Sequence, residues 1–210
     1  MNDLVSISDA QSGFGVELLK TVRSGGAYLA GVFGTVPHDV VGIAGGDWLK
    51  IKREENQRVL VEKARMRLED RGIAPRSASL SVGLPIIEAA ADESRAELVE
   101  IWARLLAAAM DPNRAKRVRY KFLETIKQFD PTDALVFQRI ADPGEKDPSV
   151  RDYLASRLTL SADEVELSII NLHALGCIRD SFGPSSDINP ASRSLILTVF
   201  GRELLRLLSD

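Results

Sequence analysis

At 210 residues the chain has the length for one domain or two small ones, with ample material for a core. An apolar share of 45%, a charged share of 27% and a formal charge of −3 describe an ordinary soluble protein and exclude a global polycation built for nucleic acid. The single cysteine, Cys177, excludes an internal disulfide, suits a reducing cytoplasm and, between Gly176 and Ile178, reads as a small core residue rather than a nucleophile.

Met1 to Ser6 has neither a basic start nor an apolar run, so no signal peptide is expected and the protein reads as cytoplasmic. Residues 1–46 form an N-terminal region in which Val16, Leu18, Leu19 and Val22 suggest a short helix. Gly25 to Gly46 is apolar, holds seven glycines and carries charge only at Asp39 and at His38 when protonated. Pro37-His38-Asp39 splits it into runs of twelve and seven residues, short of the roughly 20 that a helix needs to cross a bilayer. Two readings stay open for this segment. Its glycine-bearing turns pack on the helical core or a sister subunit, or they insert into a membrane surface and hold the protein at the inner membrane face.

Residues 47–129 read as a helical core. A long helix is expected from Asp47 to Arg71, with Leu60, Val61, Ala64 and Leu68 on one stripe and Trp48, Val59 and Met66 on another, ending where Gly72 supplies a left-handed cap. Lys52 to Arg58 is polar all round, which predicts a projecting stretch held by neighbours at its ends or by a second copy. After a linker over 73–81, Val82 to Ala91 predicts a short apolar helix. The clearest pattern follows. Leu98, Ile101, Trp102, Leu105, Leu106 and Ala109 recur at three- and four-residue steps within roughly 140° of arc, one buried face of an amphipathic helix. Asp92 is the expected N-cap, and Asp111-Pro112 the expected stop, because the residue before proline is pushed out of the α region.

From Asn113 to Lys127 six cations stand against the single acid Glu124, a net of +5. Val118, Phe122, Ile126 and Phe129 share about 80° of arc, so the cations read first as the solvated face of a helix. Arg114, Lys116, Arg117, Arg119 and Lys121 are the candidate contacts for an anionic partner. Asp130 as cap, Pro131 at the first helical position and Asp133 in the first turn then open another helix.

Residues 130–210 read as a separate small domain. A short helix around Val150 to Leu158 is followed by Ser161-Ala-Asp-Glu164, a capping box opening a helix through Leu175 that Gly176 terminates. Cys177 to Phe182 and Ser194 to Phe200 alternate as strands, and Gly201 to Leu208 closes with a helix. That order resembles a winged helix-turn-helix domain. From Phe129 on, however, eight cations face thirteen acids, and the helix in the recognition position carries Asp163, Glu164 and Glu166 with no lysine or arginine. A helix that enters a DNA groove needs cations near phosphates, so this one reads as a protein-docking module. The fold class expected overall is mainly α, a multi-helix bundle followed by a small winged-helix-like α+β domain.

Several blocks carry a family resemblance: Asp47-Trp48, Glu54 to Arg58, Glu62 to Arg65, Pro85 to Ala90, Trp102 to Pro112, Arg119 with Phe122, and Gln128 to Ala134 with Pro131 and Asp133 inside it. In this order the chain resembles the Abi-alpha (abortive infection alpha) family of prokaryotic proteins over about residues 45 to 200. The resemblance implies a part in defence against phage, and it implies structural roles for Asp47, Trp48, Trp102, Asp111, Pro112, Phe122, Pro131 and Asp133.

No motif announces catalysis. His38 and His173 lie far apart with no cysteine near either, which disfavours a zinc site, and neither has the arginine four to six residues upstream that many RNases of abortive infection use. No phosphate-binding glycine loop and no nucleophile elbow occurs. The expectation is therefore a non-enzymatic interaction protein with no cofactor, no metal and no small-molecule substrate, acting through oligomerisation or a protein partner. A membrane-associating effector using segment 25–46 and a DNA-binding winged-helix regulator are the alternatives, with nucleic acid disfavoured by the charges.

Overall fold

The computed structural model describes residues 47–140, 150–181 and 194–209, and of 47–50, 150, 181 and 194 the backbone only. The glycine-rich segment 25–46 and the expected loops at 142–148 and 183–190 lie outside the described residues, as does the short helix expected near 16–22. Eight α-helices and one antiparallel pair of strands are present among the described residues, so the protein is mainly helical with a small two-stranded sheet near its C-terminus.

Helix α1, Asp47–Asp70, ends as its sequence requires. Gly72 takes φ +63°, and the amides of Gly72 and Ile73 donate to the carbonyls of Glu69 and Leu68, so the last carbonyls of the helix are satisfied by a left-handed cap. Leu60, Val61, Ala64 and Leu68 are buried, while Met66 is 55% exposed. The polar stretch Lys52 to Arg58 does not project alone. Arg53 holds Asp92 through two hydrogen bonds of 2.5 and 2.6 Å, and Asn56 Nδ2 donates to the carbonyl of Ala91 at 2.8 Å. Asp92 is thereby committed to α1 and to the end of α2, Leu80–Ala91; it does not cap the next helix. Glu93 Oε1 accepts from the amides of Ser94 and Arg95 in the turn that leads into α3, which begins at Ala96 with Arg95 at the N-cap position and no side-chain cap bond.

Helix α3, Ala96–Met110, is the axis of the fold, packed against α1, α2, α5 and α8. Every residue from Ile101 to Met110 except Arg104 is buried, a wider surface than the single face expected from periodicity. The reason is position. Alanines 103, 107 and 108 have no bulk to keep neighbours away, and they are buried along with the apolar face. Asp111 leaves the helix with ψ 118°, as the residue before Pro112 must.

A 3-10 turn, Ala115–Arg117, and α4, Tyr120–Ile126, replace the single longer helix suggested by the pattern, and Val118, Phe122, Ile126 and Phe129 are all buried beneath them. α5, Pro131–Ile140, then leads to α6, Val150–Leu158, and α7, Ala162–Ala174. Strands β1, Ile178–Ser181, and β2, Ser194–Leu197, pair with Ile178 opposite Leu197 and Ser181 opposite Ser194. β2 stops earlier than its alternation suggests because Thr198 turns into the N-cap of α8, Val199–Leu208, accepting from the amide of Gly201 at 2.9 Å.

One buried cluster runs through these elements, from Leu60 in α1 to Leu208 in α8, with Phe122 against Phe200 at 5.1 Å and Phe129 edge-on to Phe137 at 5.7 Å. The expected boundary at 129/130 falls inside that cluster, since α3 packs on α5 and α8 as well as on α1 and α2.

Candidate functional site

Helix α7 is built to hold one face in and show the other. Ser161 Oγ accepts from the amide of Glu164 at 3.2 Å while Glu164 Oε2 accepts from the amide of Ser161 at 2.8 Å, the reciprocal cap foreseen from Ser-x-x-Glu. The Ser161 amide first and the Ser161 hydroxyl second donate to the Glu164 carboxyl and hold it below its usual range. Val165, Ser168 and Leu172 are buried on one side. On the opposite side Asp163, Leu167, Ile170 and Ala174 fall within about 60° of arc, and all four are exposed. Leu167 is 68% exposed and Ile170 57%, so two large apolar side chains face water beside Asp163 and Glu166. Reasoning from the charges of α7 missed this pair. Its signal was present in the spacing, because Val165, Ser168 and Leu172 claim the inner face and leave 167 and 170 outside.

The basic segment divides into inward and outward parts. Arg114 Nη2 donates to the carbonyls of Arg206, Leu207 and Ser209 at 2.6 to 2.8 Å, where a cation meets the negative end of α8. Arg104 Nη1 adds a bond of 2.7 Å to the carbonyl of Leu208. Lys127 pairs with Glu124 at 3.0 Å, and that contact holds the Glu124 carboxyl low. Lys116, Arg117, Arg119 and Lys121 are exposed, with Tyr120, 58% exposed, among them. Among the described residues Lys116, Arg117 and Arg119 form no ion pair with a carboxylate, and buried Val118 pins the corner that displays them.

The acids inside the fold hold corners. Asp111, 1% exposed, accepts from the amide of Asn113 at 2.8 Å through Oδ1, and its Oδ2 faces Arg71 at 3.5 Å, near enough for charge attraction without hydrogen-bond geometry. Asp133 Oδ2 accepts from the amide of Asp130 at 2.8 Å and from Asn171 Nδ2 at 2.7 Å, which ties the start of α5 to α7. Trp102 and Phe122 are buried in the core, Pro131 stands at the first position of α5 half-buried, and Pro112 is exposed. Asp47 and Trp48 open α1, and their side chains lie outside the described residues.

A small cleft of about 170 Å³ lies over Trp102 and Phe129, edged by Glu93, Arg95 and Lys127. Burial alone would push the Glu93 carboxyl up, but the Arg95 guanidinium and the amides of Arg95 and Ser94 that donate to it outweigh this and hold it low. Cys177 is buried and its thiol is pushed up to about 12, by burial first and the Asp133 charge second. His173 Nε2 is 3.9 Å from Asp180 at the surface. Among the described residues no group of three or more His, Cys, Asp or Glu side chains is placed to hold a metal, and no helix is long and apolar enough to cross a membrane.

The family model described as Abortive infection alpha matches residues 52–207. The chain belongs to the Abi-alpha family. No curated protein and no solved structure matches it. Abi-alpha membership implies a part in abortive-infection defence against phage. The matched range includes the exposed stripe of α7, the cationic corner at 115–121 and both buried acid corners, whereas Asp47, Trp48 and the glycine-rich segment fall before it.

Proposed function

We propose that this Abi-alpha protein is a non-enzymatic interaction protein of phage defence, and that it acts by seating the exposed stripe of α7 on another protein. The observation that carries the reading is the pair Leu167 and Ile170, facing water on a helix whose opposite side already supplies the core. Packing does not require them there, and two large apolar side chains next to acids suit a docking surface with an apolar centre and a charged rim. The partner surface that fits is apolar with a cationic edge, matching Asp163 and Glu166.

The order of helices and strands over 131–208 supports a winged-helix-like module whose α7 takes the recognition position. Without lysine or arginine, α7 has nothing to neutralise phosphates, which favours protein over DNA. A non-catalytic role draws its support from the uses already found for the reactive side chains: Asp111 and Asp133 hold corners, Glu93 ties the turn before α3 and Cys177 fills the core.

The test is phage challenge of cells expressing the full chain with Leu167→Asp and Ile170→Asp together. Protection should fall to the level of cells without the protein, while abundance and melting temperature stay near those of the unaltered chain. Full protection from a folded double variant would overturn the proposal.

A further inference from the structure

The cationic corner at 115–121 has the chemistry that the α7 stripe lacks. Lys116, Arg117, Arg119 and Lys121 are exposed in the same short segment as Tyr120, and among the described residues the first three have no carboxylate to pair with. The stripe offers the converse, Asp163 and Glu166 beside Leu167 and Ile170. A tyrosine ring on two aliphatic side chains, bordered by opposite charges, has the composition of a protein interface. Resting on the docking role proposed above, we infer that the occupant of the α7 stripe is the 115–121 corner of a second copy of this chain.

Each protomer then carries both halves of the contact. Two copies related by a two-fold axis make it twice, the stripe of one on the corner of the other and the reverse. Solvated cations on a helix would account for Lys116 and Arg117 alone. They do not account for the Leu167–Ile170 pair, left in water by the same fold.

The contact can be broken from either side and rebuilt by mixing. One full-length variant carries K116E, R117E, R119E and K121E; the other carries D163K and E166K. Alone, each presents like charges on both surfaces. Mixed one to one, each contact regains opposite charges. Sedimentation velocity over rising concentration should show the unaltered chain passing from monomer to dimer, with association weakened when salt is raised because exposed charges are screened. Each variant should remain monomeric, and the mixture should dimerise. Melting temperatures close to that of the unaltered chain establish folding. The smaller change K116E and R117E, on two exposed side chains, serves if the fourfold variant does not fold.

A monomeric unaltered chain at every concentration overturns the inference, as does dimerisation of either folded variant alone or a mixture that stays monomeric. The outcome separates from that of the docking role. Loss of protection in the Leu167→Asp, Ile170→Asp variant, together with a monomeric unaltered chain, leaves the stripe docked on a different protein and removes the second copy.

Discussion

At the scale of single residues the fold depends on a few close approaches. Gly201 lies against the backbone of β1's entry: a Cβ built there would stand 1.9 Å from the carbonyl oxygen of Cys177. No rotamer relieves a clash with backbone, so Gly201→Ala must shift the start of α8 away from the sheet. Overpacking of this kind costs about 1–3 kcal/mol or more, and the denaturation midpoint should fall accordingly; an unchanged midpoint would refute the close approach. Cys177 makes a second prediction. Its thiol is raised from 9.0 to about 12 in the fold, so below pH 9 both folded and unfolded chains keep the proton and pH has no effect through this group. Between those values the unfolded chain ionises first, and stability contributed by the buried neutral thiol is lost as pH rises. In a urea titration repeated from pH 8 upward, stability should therefore decline above pH 9, and Cys177→Ala should lessen that slope. An equal slope in the variant would contradict it.

At the scale of elements, local chemistry made some boundaries legible and long-range contacts hid others. The capping box of α7, the glycine end of α1 and the break at Asp111-Pro112 depend on neighbours within a few residues, and each stands where the sequence places it. Asp92 shows the opposite case. As an acid before a helical pattern it has the form of a cap, yet Arg53, 39 positions away, takes its carboxylate, and Arg95 stands at the N-cap position of α3 instead. The width of the buried surface on α3 was likewise hidden, since periodicity registers one face and cannot show that a helix packed against four others buries its alanines as well. The exposed pair on α7 was hidden by charge: Asp163, Glu164 and Glu166 argue about DNA and draw the eye from Leu167 and Ile170. The cap and the stripe should separate experimentally. Ser161→Ala removes the acceptor for the Glu164 amide and should cost about 1 kcal/mol, a drop in Tm of about 2–4 °C for a chain of this size. Leu167→Ser and Ile170→Ser should leave Tm within about that margin while abolishing protection against phage. The reverse pattern, a stripe needed for stability and dispensable in the challenge, would return these residues to the fold.

At the scale of the whole molecule, α3 organises the chain by burial and α7 by exposure. One continuous core joins α1 to α8, so the elements on either side of residue 130 support one another. Arg104 and Arg114 hold the last turn of α8 by its carbonyls, fastening the C-terminal helix to the centre. Against that tightly committed interior, the Leu167–Ile170 pair is apolar surface without a use in the fold, and its covering by protein is the central claim. Oxidative footprinting of side chains inside phage-challenged cells tests it most directly, with exposed Ile51 and Val199 as references in the same chain. Labelling of Leu167 and Ile170 should fall relative to those references once the protein is engaged in defence; labelling of all four side chains in unchanged proportion, in cells that are protected, would contradict the account.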